Sequence, residues 1–258
     1  MSPAAVAITL AGIYGAMIGS FLNVCVYRLP RDESVVRPRS RCPGCGAPIA
    51  WYDNLPVLSW LILRGRCRRC GTSISVQYPV IELLVGLVWA AAVWREGLSL
   101  ETLSAGLFVT LLIGIFLTDL RHMVIPDEFS LGGLAAGLVL AGVLGRRALG
   151  VAVVGAALGY GVLWLAAVAG KWWAGRDAMG GGDLKMMAMV GAFLGWRGVL
   201  LTVFLGSLIG TLVYLPALLR RERHREVPFG VFLALGAVTA LLAGNAILRW
   251  YARVLWHA

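Results

Sequence analysis

Apolar residues fill the chain in long stretches, at about 4–27, 79–94, 100–118, 129–144, 149–169, 184–196, 199–219 and 229–250, with short polar or glycine-bearing segments between them. A helix of about 20 apolar residues crosses the hydrocarbon core of a bilayer. The pattern therefore predicts an all-α membrane protein, a polytopic bundle of about eight transmembrane helices. The sixth stretch is short. The first has no Lys or Arg ahead of it and carries Ser20 and Asn23 deep inside, so it reads as a retained helix rather than a cleaved signal.

Composition agrees with the pattern. Hydrophobic residues make up 59% of the 258 and charged residues only 14%, against about 25% charged in soluble domains. Mean hydropathy is +0.81. The formal net charge of +10 is a topology signal. Under eight spans, 17 of the 23 Lys and Arg fall on one side of the membrane, which the positive-inside rule makes cytoplasmic. Both termini then lie outside. Because the basic residues track the membrane borders, the expected partner for them is lipid, with no nucleic acid.

One loop, 30–77, is long enough to fold. It holds Cys42-Pro43-Gly44-Cys45 and Cys67-Arg68-Arg69-Cys70, with Gly46 and Gly71 following as turn residues. Two such knuckles at this spacing suit one tetrahedral zinc held by Cys42, Cys45, Cys67 and Cys70. A pair of disulfides is the alternative, and a cytosolic location disfavours it because thiols there stay reduced. The loop has few apolar residues, so the metal would supply much of its folding energy. Cys25, inside the first span, reads as a small buried apolar residue.

Acidic residues are scarce, which makes their places informative. In or beside the spans stand Glu82, Asp119, Asp127, Glu128, Asp177 and Asp183. A carboxylate at mid-membrane costs about 2.5–3.5 kcal/mol on insertion scales. Asp119 closes the third span and Asp183 opens the sixth, after Gly180-Gly181-Gly182, both at the cytoplasmic border. Two carboxylates that share a proton can act as general base and general acid on one water. Their local fields differ, with Asp183 at the positive end of a helix dipole and Asp119 at the negative end of another. The plain alternative makes Asp183 an N-cap and Asp119 a border residue. Asp127, after Pro126, reads as an N-cap.

Taken together, these residues resemble the type IV prepilin peptidases, bifunctional leader peptidases and N-methyltransferases of pilus and type II secretion systems. The resemblance runs through Gly19-Ser20-Phe21-Leu22-Asn23-Val24, Tyr27-Arg28-Leu29-Pro30, both cysteine knuckles, Asn54-Leu55-Pro56-Val57-Leu58-Ser59-Trp60, Tyr78-Pro79 with Glu82, Asp119, Ile125-Pro126-Asp127, and Gly180-x-Gly182-Asp183 with Lys185. Gly180 to Asp183 is similar to the GxGD signature of intramembrane aspartyl proteases. One departure is Pro228-Phe229-Gly230-Val231, where the family usually has a second proline after the glycine.

The resemblance implies that Asp119 and Asp183 are the catalytic pair and that the four cysteines hold a structural zinc. It implies cleavage of type IV prepilins or pseudopilins after a leader glycine, just before an apolar helix, on the cytoplasmic side of the bacterial inner membrane. Methylation of the new amino terminus with S-adenosylmethionine would follow. Asn23, Arg28 and Glu82 are candidate contacts for that donor, with buried polar packing as the alternative role for each. The implied organisation is 1–29 as the first transmembrane helix, 30–77 as the cytoplasmic zinc-ribbon-like module and 78–258 as the peptidase domain. A proton transporter would need no zinc ribbon, and a scaffold would need no aspartate pair.

Overall fold

Ser2 caps the first helix by accepting the Ala5 amide at 3.2 Å, and Pro3 fits the first turn, where no amide hydrogen bond is required. From there the computed structural model, which describes residues 2–175, 179–219 and 227–256, is a succession of helices. They are α1 (Pro3–Arg28), α2 (Leu58–Ile62), α3 (Gln77–Glu96), α4 (Leu100–His122), α5 (Asp127–Leu144), α6 (Arg146–Ala174), α7 (Gly181–Leu219) and α8 (Phe229–Trp256). Short 3-10 turns at Leu29–Arg31 and Trp51–Asn54 flank the cysteine loop. Asp177, Arg176, Arg220, Arg221, Arg223 and Arg225 lie outside the described residues.

Seven of these helices, all but α2, are long and apolar enough to cross a membrane. The chain is a multi-pass membrane protein. The α7 segment Gly181–Pro216 is 36 residues long, about 54 Å of straight helix against a hydrocarbon core of about 30 Å. Gly195 breaks it, at φ 66° and ψ −178°, a conformation open to glycine alone. Contacts on either side of the break show a reversal. Gly182 lies against Ile125, and so does Gly230 at the start of α8. Beyond the break Leu201 reaches Gly244, far along α8, and Gly210 is back beside Phe232. Residue numbers fall along α7 as they rise along α8. The helix is thus two legs, 181–194 and 196–219, matching the short sixth and full seventh runs expected from the pattern.

Two compact units divide within α4, Met1–Thr110 and Leu111–Ala258. In the first, α1 and α3 pack backbone to backbone. A Cβ at Gly15 would meet the Val85 carbonyl at 2.9 Å, and one at Gly19 the Glu82 Cα at 2.8 Å. Asn23 Nδ2 donates to the Tyr78 carbonyl at 3.2 Å, tying α1 to the start of α3. Glu82, only 8% exposed, accepts the Val57 amide at 2.7 Å and the Ser20 hydroxyl, so it anchors the loop to both helices.

In the second unit, α7 is the central element, packed on α5, α6 and α8. Met186, Met187, Met189 and Val190 of its first leg are fully buried. The tightest approach is to α6, where a Cβ at Gly155 would run into the Gly191 carbonyl and one at Gly159 into the Met187 carbonyl. This is a small-xxx-small contact, the usual means of bringing helices together where lipid removes the hydrophobic drive. Gly161, on the same helix, faces open space. Gly155→Ala should therefore destabilise the protein by about 1–3 kcal/mol through overpacking. Gly161→Ala should be neutral or stabilising by up to about 1 kcal/mol. Thermal unfolding in detergent distinguishes the two, and equal melting points would contradict the α6–α7 contact.

Candidate active site

The cysteine loop builds two matching knuckles. In the first, the Cys42 amide donates to the Ala47 carbonyl and the Gly46 amide to the Cys42 carbonyl, both at 2.9 Å. In the second, Cys67 to Thr72 and Gly71 to Cys67 repeat the pattern at 2.9 Å. Gly46 and Gly71 have φ of 67° and 72°, which lets each turn close and aim two sulfurs inward. All four Sγ atoms, of Cys42, Cys45, Cys67 and Cys70, lie within 4.8 Å of one another. Cys42 and Cys70 are 3.7 Å apart. That is far beyond a disulfide bond. It is close to the ~3.8 Å edge of a tetrahedron with Zn–S bonds of about 2.3 Å. The residues fit zinc.

The surroundings of Cys42 and Cys70 favour thiolates, whereas the neighbouring Cys70 and Cys42 sulfurs push the Cys45 thiol up to about 11. The Thr72 hydroxyl sits 3.2 Å from Cys70 Sγ, and with the Thr72 amide it brings that thiol down to about 6. Arg68, inside the second knuckle, is bidentate to Asp53 at 2.7–3.1 Å and holds that carboxyl below the ordinary carboxylate range. Cys25 stays apart, buried in α1.

In the second unit, Asp119 stands near the end of α4, 5% exposed. Its Oδ2 accepts the Val231 amide at 3.0 Å, and the Gly230 amide also donates to it. Asp183, in the first turn of α7, accepts the Gly180 amide and lies close enough to Asp119 for the two charges to interact. The two sequence-predicted aspartates are therefore brought together, Asp119 buried and Asp183 half-buried.

Asp127 does not join them. Pro126 is the N-cap of α5, no side chain caps that helix, and Asp127 is its first residue. The capping role expected for Asp127 is replaced by an ion pair with Lys185, at 2.7 and 2.9 Å, which ties the start of α5 to the start of α7. The reason is reach: a partner 58 residues away in sequence supplies what a local cap would have. The dipole reading also changes. Asp119 meets the positive end of α8 as well as the negative end of its own helix.

Sequence reasoning met Gly230, Val231 and Ile125 only as motif residues and gave them no place beside Asp119. A Cβ at Gly182 would meet Ile125 at 3.0 Å, and one at Gly230 would meet Ile125 at 2.8 Å and Asp119 Oδ2 at 2.9 Å. Ile125 thus fills the space that these two glycines leave. The available signal was Pro228-Phe229-Gly230, a turn and helix start beside a membrane border.

Of the three candidate donor contacts, Asn23 and Glu82 are committed to helix packing as described, and Arg28 donates to the Ser34 and Pro38 carbonyls at 2.8 Å. Arg28 also borders a cavity of about 460 Å³ in the first unit, with Ser20, Arg39, Trp51 and Asn54 on its walls.

Comparison with known proteins decides the family. Residues 13–96 match the Bacterial Peptidase A24 N-terminal domain, and residues 106–215 match the Type IV leader peptidase family. A Prepilin leader peptidase/N-methyltransferase of Aeromonas hydrophila is 39% identical over 269 residues, covering 94% of this chain and 93% of its own. The chain belongs to the prepilin leader peptidase/N-methyltransferase family. A relative of the same name from Myxococcus xanthus is 44% identical over 225 residues, 84% of this chain and 67% of its own. One from Neisseria gonorrhoeae is 34% identical over 267 residues, 94% and 93% of the two chains. No solved structure matches. As a member of this prepilin peptidase family, the protein is a membrane enzyme that combines a peptidase with a methyltransferase.

The thiol geometry makes a direct prediction. Purified protein should carry about one zinc per chain, and Cys42→Ser with Cys67→Ser should remove it and lower the melting temperature. Elemental analysis checks this; an undiminished zinc content in the double variant would exclude the four-sulfur site.

Proposed function

We propose that this peptidase removes the basic leader of type IV prepilins or pseudopilins after a glycine, at the cytoplasmic face of the bacterial inner membrane, and then N-methylates the new amino terminus. The observation that carries the cleavage reading is the meeting of Asp119 and Asp183 across two helix ends, with no cation recorded on either among the described residues. One carboxylate takes a proton from water as its oxygen attacks the scissile carbonyl. The other gives a proton to the leaving nitrogen as the C–N bond breaks, releasing the leader carboxylate and a free amine. The glycines around Asp183 leave room for an extended substrate strand. An apolar helix behind the cut would lie in lipid beside the enzyme.

The metal reading is structural: Cys42, Cys45, Cys67 and Cys70 hold zinc and shape residues 30–77. S-adenosylmethionine, when bound, supplies an electrophilic methyl group. In the first-unit cavity Arg39 would offer a cation for its carboxylate and Trp51, 79% exposed, a face for its adenine, while Arg28 holds the cavity wall through the Ser34 and Pro38 carbonyls. The peptidase assignment covers 78–258, after the first helix (1–29) and the zinc module.

Asp119→Asn and Asp183→Asn should each lower cleavage by at least about 10²–10⁴-fold, since asparagine moves no proton. Asp127→Asn removes only an exposed ion pair, worth about 0–1 kcal/mol, and should keep most activity. Asp119→Asn given a pre-cleaved peptide should still methylate it. Near-wild-type cleavage by Asp183→Asn is the result that would overturn the dyad.

The bias of 17 basic residues to one side supports a cytoplasmic cysteine loop and an α3–α4 turn on the outside. A cysteine placed at Leu98, in that turn, should react with an impermeant thiol reagent added to intact cells, and one at Glu33 should not. The reverse labelling would invert the topology.

A further inference from the structure

The Asp119 carboxylate is held by a partner 112 residues away in sequence. The first amides of a helix have no acceptor within it, and in α8 those of Gly230 and Val231 both point at Asp119. The approach depends on glycine, because a Cβ at position 230 would stand 2.9 Å from the same Oδ2. Rotation of a carboxylate about its last bond is broad when nothing fixes it. Two donors on one carboxylate, with the Val231 amide on Oδ2, fix it, and the positive end of the helix complements its charge.

We propose that the backbone amides of Gly230 and Val231 are positioning groups of the peptidase. They fix the rotation of the Asp119 carboxylate, with Oδ2 held by the Val231 amide, so that it presents one set orientation to the attacking water and to Asp183. The Val231 side chain has no part in this; the group at work is its N–H. The proposal rests on the dyad reading above.

The test is removal of the Val231 amide. Val231→Pro does so in the first turn of α8, where no intrahelical hydrogen bond is lost, although its ring also presses on Asp119. Replacing Val231 by its α-hydroxy acid, through suppression in cell-free synthesis, turns the amide into an ester and keeps the side chain. Both should lower kcat for leader cleavage by about tenfold to a hundredfold, the range for hydrogen bonds to charged groups, with KM changed less than about twofold. Val231→Ala keeps the amide and should lose far less, about threefold at most. Methylation of a pre-cleaved peptide, retained in all three, reports an intact fold. If the ester enzyme cleaves within about twofold of Val231→Ala, the positioning role is wrong. Asp119→Asn run alongside separates the two ideas. An active Asp119→Asn defeats the dyad itself, whereas an inactive one beside a fully active ester enzyme defeats only the amide anchor.

Discussion

A carboxylate beside hydrocarbon costs several kcal/mol unless something meets its charge, and the second unit is arranged around meeting two of them. The obvious way is a lysine or arginine partner. Among the described residues, the donors to Asp119 and Asp183 are instead backbone amides, from Gly230, Val231 and Gly180. Lys185 is two residues from Asp183, yet its ammonium goes to Asp127. The distinction matters chemically. A permanent cation on either carboxylate would hold it ionised and bind it in place. Amide donors orient a carboxylate and leave it able to exchange a proton with water.

That solution demands close backbone approach, and so it sets the composition of the unit. Amides reach Asp119 only because position 230 has no Cβ, and Ile125 fits only because Gly182 and Gly230 leave space for it. The same device holds the scaffold, where Gly155 and Gly191 bring α6 and the first leg of α7 into backbone contact. Helices in lipid gain little from burying apolar side chains against one another, so van der Waals contact between backbones carries more of the association. The first unit follows the same rule through Gly15 and Gly19 against α3.

These physical causes also explain what was legible from sequence. Spans are written by residues next to one another, so the apolar runs located the membrane helices among the described residues. Helices α6 and α8 run five or six residues past the expected ends, and the pattern separated two runs at the reversal near Gly195. The cysteine spacing was equally local, and the four sulfurs meet as expected. The pairing of Asp119 with Asp183 followed from topology, because both close or open a span on one side. What the sequence hid were contacts set by packing. Lys185 could not be assigned to Asp127 over 58 residues, nor Val231 to Asp119 over 112, by any periodicity.

The electrostatic asymmetry of the dyad shows the same limit. From sequence, each aspartate feels only its own helix, the positive end for Asp183 and the negative end for Asp119. In the folded unit Asp119 is also seated on the first amides of α8, whose positive end offsets the field of α4. Both carboxylates thus stand at helix N-termini, one by sequence and one by packing. A helix dipole acts within about its terminal turn, so this balance depends on where α8 begins. Phe229 opens that helix directly after Pro228. A shift of the start by one or two residues would carry the amides away from Asp119 while leaving the apolar pattern of the span intact. The start of a helix that carries neither aspartate is therefore as much a part of the site as the aspartates' own positions.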